Sequence, residues 1–549
     1  MRALMLEALV RRSLVGLLPL LLAVFCATLA RTETGHAAAG QAIYQDGVLL
    51  SGQPLRGLRD ADLKVEGATA ACVNCHRRSG LGMMEGQVTI PPISGLYLFH
   101  PRATNVDDLD LPFVEGMRAD RDPYTDATLA RAIREGIGVD GQALSYLMPR
   151  YALGDADMAT LITYLKGLTR SPVPGVENGV VHFATIVTPD ANPAQRQGML
   201  NVLQQYFADK DAYARAQSPR LHSSRRMMFK VNSRWQLHVW ELKGAPSTWE
   251  GQLQRDLARE PVFAAISGIG GATWAPVHHF CEESHLPCLF PNVQLPVVAE
   301  RDFYSLYFSK GVLLEAELIA HRLAAVEPRP RRVIQVFRAG DVGESASRAL
   351  AASLQRAGLE IIRRETPANG AVRALAAALR DVSAEDAVVL WLRPKDIAAL
   401  AVVPARASTA YISGLMGGLG AAPLPSAWRT ATRLAYPFDM PGQRIARVDY
   451  ARGWFALRHI PVVDEQVQVD TYLACGLVSE TLNHMVDSFF REYLVERVED
   501  MLAHRILTGY YPRLALAPGQ RFASKGGYLA KFAEPTGSRL VEDSDWIVP

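Results

Sequence analysis

The chain has 549 residues, too many for one ordinary hydrophobic core, so two or three domains are expected. Its 49% apolar and 21% charged residues are those of a folded globular protein and exclude a disordered chain or a polytopic membrane protein. The formal net charge of +2 vanishes once residues 1–39 are set aside, because Arg2, Arg11, Arg12 and Arg31 there outnumber Glu7 and Glu33, so nothing marks a nucleic-acid binder.

In chain order, residues 1–39 come first. Arg11-Arg12 precede an apolar run from Ser13 to Ala30, and Ala37-Ala38-Ala39-Gly40 provide small residues at its exit. A basic end, an apolar middle and a small-residue exit predict a secretory signal peptide and a soluble, exported, periplasmic product. Membrane attachment follows only if the segment stays uncleaved, since the run is just long enough to span a bilayer. Phe25, before Cys26, stands where a lipoprotein signal needs a small residue. Past the signal, Cys72, Cys75, Cys281, Cys288 and Cys475 remain. An oxidising compartment favours a disulfide between Cys281 and Cys288, which flank a short loop. Cys475 lies within the apolar "TYLACGLVSETL" and reads as a small buried side chain.

The next element is Cys72-Val73-Asn74-Cys75-His76. A thioredoxin-like redox site would need this C-x-x-C at a strand-to-helix junction, and the Gly- and Pro-rich flanks do not provide one. A zinc site would need about four ligands, and no second cysteine pair is near. The third reading is covalent attachment of haem, in which two thioether bonds fix the porphyrin edge and the adjacent histidine reaches the iron. A second axial ligand is then needed. Met83, Met84, Met117 and Met148 are available. Met148, in "SYLMPRYALGDADMATLITYLKGL", is far enough along the chain to return to the other face of the ring. Leu161, Tyr164, Leu165 and Leu168 then recur at helical spacing, with Asp155 and Asp157 at the start where carboxylates suit the helix dipole. Arg77 and Arg78 read as a solvated basic edge.

On "GQAIYQDG", "CVNCHRRSGLG", "PPISG" and "MPRYALGDADMATLITYLKGL", residues 40–170 resemble a class I c-type cytochrome domain. The resemblance implies a mainly α fold, one covalently attached haem c, His76 as proximal ligand and Met148 as distal ligand. It also implies that the carbonyl of Pro91 accepts the other ring N–H of His76, which orients the imidazole. The chain departs from the family pattern in the long stretch between Tyr44 and Cys72, and at Gly154, where Ser or Thr is the commoner helix cap.

Residues 168–179, "LTRSPVPGVENG", read as a connection, with 171–179 as the linker proper. Beyond it β-branched runs alternate with helical spacing: "VVHFATIV" then "QRQGMLNVLQQYFA", "VFAAISGIGG" then "APVHHFCEE", "RRVIQVFRAGD" then "ESASRALAASLQRAG". Such alternation predicts parallel sheets covered by helices, and the two series predict two lobes. The order, with "AISGIGGATWAPVHHFCEESHLPCLFP", "TAYISGLMGG" and "ASKGGYLAKF", resembles a type I periplasmic binding protein of the amino-acid or amide ABC-transporter kind over 180–549. The expected fold class is thus multidomain: a mainly α cytochrome domain, then a two-lobed α/β domain.

In doubly wound sheets ligands sit beyond the carboxyl ends of the strands. Ser267 and Gly268, in a glycine-rich loop before a helix, are expected ligand contacts, and their N–H groups suit an anion. Arg338, Trp391 and Tyr436 are the contacts expected from the other lobe, with Asp341 and Arg393 nearby. His278 and His279 read as a packed or solvated pair before a metal site. There is no P-loop, no G-x-S-x-G and no H-E-x-x-H, so the chain does not read as an enzyme. The reading is a periplasmic electron-transfer protein that exchanges electrons with a dehydrogenase or a terminal acceptor, with a domain for a small-molecule ligand or a protein partner. The alternative is a receptor for transport or sensing whose haem reports redox state. An enzyme that oxidises a ligand bound in the cleft is the third possibility.

Overall fold

The structure, a computed structural model, describes residues 38–59, 62–85, 88–99, 121–168, 173–217, 233–299, 301–367, 372–418, 424–485, 489–504 and 509–549. The signal segment up to residue 37, residues 169–172 of the connection, and Met117 lie outside the described residues. Contacts along the chain divide it between residues 172 and 173 into two units.

The first unit packs short elements around one apolar cluster that includes Ile43, Tyr44, Leu129, Ile133, Leu161 and Leu165. Its helices are Val73–His76, Gly95–Phe99, Asp126–Glu135 and Asp155–Gly167. Thr125 and Thr128 form a reciprocal capping box at the start of Asp126–Glu135. Gly154 precedes Asp155–Gly167 without a side-chain cap, and Asp155 and Asp157 occupy the first turn. The described part of the unit is mainly helical, as expected, but it also holds two small sheets. β1 (Arg56–Arg59) lies between β2 (Leu63–Glu66) and β5 (Arg150–Tyr151), and β3 (Met83–Glu85) pairs with β4 (Val88–Ile90). β1 and β2 fall in the long stretch between Tyr44 and Cys72. Their sequences, RGLR and LKVE, are too short and too polar to signal strands, and pairing across the fold decides them.

The second unit contains two doubly wound lobes. The first lobe has β6 (Val176–Glu177), β7 (Val180–Val187), β8 (Arg234–Glu241), β9 (Ala264–Ile266), β10 (Cys288–Leu289) and β11 (Ser305–Leu306). β8, β7, β9, β10 and β11 are parallel neighbours in that order, and β6 is an antiparallel edge on the start of β7. The second lobe has β12 (Val333–Arg338), β13 (Ile361–Thr366), β14 (Ala387–Trp391), β15 (Thr409–Ser413), β16 (Thr432–Tyr436), β17 (Tyr528–Phe532) and β18 (Leu540–Glu542). Its order is β13-β12-β14-β15-β16-β17-β18, parallel as far as β16 and antiparallel beyond. All five residues of β14 are buried, as a strand covered on both faces requires. Helices Glu465–Met485 and Arg491–His504 return to the first lobe, where the former packs on Pro193–Gln217. The chain therefore passes between lobes three times: before Val312, between Tyr436 and Pro441, and between Tyr511 and Tyr528, since helix Pro441–Leu457 already packs on the first lobe through Trp454 and Tyr206.

The expected linker 171–179 is corrected in part. Val173 packs on the second unit's core and Val176–Glu177 is a strand of its sheet. Two valines in a Pro/Gly-rich stretch gain more from that sheet edge than from solvent, a choice that turn composition does not signal.

Candidate functional site

The first unit holds a cavity with apolar walls, lined by Cys72, Cys75, His76, Pro91 and Met148 among others. Helix Val73–His76 projects both cysteines and the histidine from one turn. Arg77 then leaves the helix with φ 64°, and Tyr44 Oη donates to the Arg77 carbonyl at 2.7 Å. Tyr151 Oη donates to the Ala70 carbonyl at 2.8 Å, which fixes the approach to Cys72. Gly82, at φ 77°, lets the chain fold back on Ile90; a Cβ there would lie 2.0 Å from the Ile90 oxygen. Ile90 leads directly to Pro91, whose carbonyl lies 3.0 Å from His76 Nδ1. Burial pushes the His76 imidazole down to about 4, the Pro91 bond opposing, so the ring is neutral at physiological pH. A neutral ring with Nδ1 engaged leaves Nε2 as the nitrogen that could ligate a metal.

Neither Cys72 nor Cys75 is in a disulfide, and both are partly buried. Met148 lines the same cavity; Met83 does not. Leu98, Leu129, Ile133, Leu161 and Leu165 provide apolar walls, and Arg59 and Arg121 add cations. The buried Nε of Arg59 has no hydrogen-bond partner. Two thiols, a neutral histidine, a thioether, apolar walls and cations for two carboxylates suit a haem c. Arg77 departs from the solvated edge expected of it: it is 8% exposed.

The second unit holds a polar cavity of about 560 Å³ between its lobes. Asp190, Gly270, Gly271, Asn292, Gln294, Gln466 and Asp470 face it from the first lobe, Arg393 and Met416 from the second, and Phe438 and Tyr511 from the crossings. Of the ligand contacts expected from sequence, none lines it. Ser267 is 1% exposed and works inside the lobe: its Oγ donates to Thr471 Oγ1 at 2.9 Å and accepts from Asn292 Nδ2 at 2.9 Å. Gly268 packs against Trp274, which leaves no room for a Cβ. Arg338 pairs with Asp396 at 2.5 Å. Trp391 is buried and donates to Gln335 at 3.0 Å, while Tyr436 is buried and accepts from Arg444 at 2.5 Å. At the strand ends Trp391 and Tyr436 turn their large side chains into their own lobe. Gly270, Gly271 and Arg393, two to three residues further along, reach the cavity instead. Asp470 and Tyr511 come from helices and crossings far along the chain, and no local pattern pointed to them.

The sulfurs of Cys281 and Cys288 are bonded, and Cys475 is fully buried. His278 is 1% exposed, with Nδ1 2.8 Å from Tyr307 Oη and Nε2 2.9 Å from Asp302 Oδ2. One ligand atom each from His278, Glu282 and Asp302 falls within 4.8 Å of the others. The Glu282 carboxylate, however, already accepts the N–H groups of Phe303, Tyr304 and Ser305, so this cluster ties helix Ala275–Glu283 to β11.

No protein-family model matches the chain, and no curated protein matches it. Among solved structures, an ABC-transporter substrate-binding protein from Aeropyrum pernix matches at TM-score 0.50 and 13% identity, over 67% of this chain and 96% of that one. A fatty acid ABC transporter substrate-binding protein from Thermomonospora curvata gives TM-score 0.48 at 15% identity, over 69% of this chain and 95% of its own. A substrate-binding periplasmic protein from Ralstonia solanacearum gives 0.48 at 14%, over 66% and 100%. At such identities the likeness is one of fold: the second unit has the two-lobed α/β architecture of a periplasmic binding protein.

Proposed function

We propose that the chain is an exported receptor that takes a small molecule between the lobes of its second unit and carries one covalently attached haem c in its first. The observation that carries the haem reading is the cavity that gathers Cys72, Cys75, His76 and Met148, with His76 Nδ1 on the Pro91 carbonyl. The thiols of Cys72 and Cys75 would bind the ring edge, His76 and Met148 would be the axial ligands, and Arg59 and Arg121 would face the propionates. Haem so held supplies one-electron exchange, and a thioether ligand raises its potential relative to a second histidine. The residues themselves orient the imidazole through Pro91, exclude water with apolar walls and neutralise carboxylates with arginine. The receptor reading of the second unit is supported by its fold and by a cleft of a size suited to small ligands.

A second reading, electron transfer to a dehydrogenase or a terminal acceptor, is favoured by the partial exposure of Cys72 and Cys75, which would bring the haem edge near a docking partner. Visible spectra of the purified chain test both. Haem should stay with the denatured polypeptide at one per chain, and the ferric protein should show a weak far-red sulfur-to-iron band. Met148→Ala should abolish that band and lower the potential, and Met83→Ala should leave both. A ligand that shifts the potential on binding favours the receptor; a potential indifferent to every cleft ligand favours plain electron transfer.

A further inference from the structure

The cleft reading can be taken one step further, to ligand chemistry, on which it depends only in that a ligand enters between the lobes. Asn192, Pro193, Gly270 and Gly271 line the cavity at or before two helix starts, and Asp341, the cap of a third helix, holds Arg393 of the wall; each such start would ordinarily offer N–H groups to an anion. All three are closed by the chain itself. Asn192 Oδ1 accepts from Ala194 and Gln195 at the start of Pro193–Gln217. In the glycine loop before Ala275–Glu283, Gly271 N–H donates to Thr188 Oγ1 at 3.2 Å and Ala272 N–H to Asp190 Oδ2 at 2.7 Å. Asp341 caps Val342–Arg356 through Val342 N–H at 2.8 Å. The cation of the wall is also taken: Arg393 Nε and Nη2 donate to Asp341 at 2.8 and 2.5 Å, and Nη1 donates to Gln294 Oε1 at 2.6 Å.

What remains open is negative. Asp470 lines the cavity, is 4% exposed, and its Oδ1 has no hydrogen-bond partner. Its Oδ2 receives only long bonds, from Tyr511 Oη at 3.3 Å and Gln466 Nε2 at 3.5 Å. Phe438 and Tyr511 line the same cavity with ring centroids 5.4 Å apart, and Phe308 lies 5.5 Å from Tyr511. A carboxylate beside aromatic rings is the pairing that holds an organic cation. A metal ion would want more oxygen donors than this corner offers.

We propose that the cleft selects a small organic ammonium ligand, with the Asp470 carboxylate as its anchor and Phe438, Tyr511 and Phe308 as its apolar walls. Among the described residues of this wall the cation, Arg393, is already paired, so an amine without a carboxylate fits better than an amino acid.

The test is calorimetric titration of the full-length protein with benzylamine, benzyl alcohol and benzoate, which share a ring and differ in charge. Mildly alkaline buffer keeps Asp470 ionised and the ammonium protonated. Benzylamine should bind wild type more tightly than the other two. Asp470→Asn, which preserves shape, should weaken it about ten- to a hundredfold, and Asp470→Glu should recover part of the loss; thermal melts check that both variants fold. Unchanged benzylamine binding in Asp470→Asn, or tighter binding of benzoate or the alcohol to wild type, overturns the ammonium proposal and leaves the cleft reading standing. If none of the three binds wild type, both fall.

Discussion

The two candidate sites differ in how their residues are brought together. In the first unit, Cys72, Cys75, His76 and Pro91 lie within one short segment, and Met148 arrives from a distance together with apolar walls. In the second, the cavity draws on Asp190, Gly271, Arg393, Asp470 and Tyr511, which come from loops after strands of both sheets, from helix Glu465–Met485 and from a crossing. A site built on one turn of helix survives most changes elsewhere, whereas a site built between lobes depends on the rest of the fold. Predictions that separate the two follow, from the largest effect to the smallest.

Replacing Cys72 and Cys75 together by Ala should remove all covalent haem, read as loss of haem absorbance from the denatured chain. The melting of the second unit should not move. If it does move, the two units are not energetically separate and the contrast fails.

The second effect is pH-dependent and belongs to the second unit alone. Burial raises Glu315 from 4.5 to about 8, although Ser413 Oγ and the N–H groups of Leu415 and Gly414 oppose it. Burial likewise raises Asp470 from 3.8 to about 7, against bonds from Gln466 and Tyr511. Both groups hold a proton more tightly folded than unfolded. Their contribution is therefore favourable at low pH and is lost as pH rises from about 4 towards 8, by on the order of a few kcal/mol. Melts at stepped pH should show that decline, and Glu315→Gln should flatten it. Asp386 sets the opposite limb. Bonds from Arg332 hold it well below 3.8, so the stability it adds at neutral pH is lost in acid.

Removing the disulfide with Cys281→Ser and Cys288→Ser should lower stability by about 2–3 kcal/mol, read from denaturant midpoints, because the closed loop is short. Haem content should not change. The smallest effect falls on Ser267. Ser267→Ala breaks the Asn292–Ser267–Thr471 chain and should cost about 1 kcal/mol. Affinity for a cleft ligand should stay within a few-fold of wild type, where the sequence alone would have predicted a lost contact.

How much was legible follows the same division. The C-x-x-C-H spacing and the terminal helix are local patterns, so they could be read from order along the chain, whereas the place of Pro91 followed from the resemblance to a c-type cytochrome. The strands β7, β12 and β14 were legible too, because β-branched runs buried on both faces leave little choice of structure. β1, β2 and β6 were not, since each is short and stabilised only by its partner strand.

The residues of the cleft show where local reading stops. Sequence determined that two doubly wound lobes would form and that their strand ends would face each other's neighbourhood, because hydrophobic period and strand–helix alternation are set along the chain. Tertiary structure alone decided which side chains face the cavity. Just past a strand end the pleat no longer fixes which way a side chain turns, and the choice between the lobe's interior and its opening rests on packing. Trp391 and Tyr436 bury large rings in the lobe, while Arg393, two residues past Trp391, is left at the cavity wall with Asp341. Asp470 reaches the cavity because helix Glu465–Met485 returns to the first lobe, a long-range contact that no periodicity encodes.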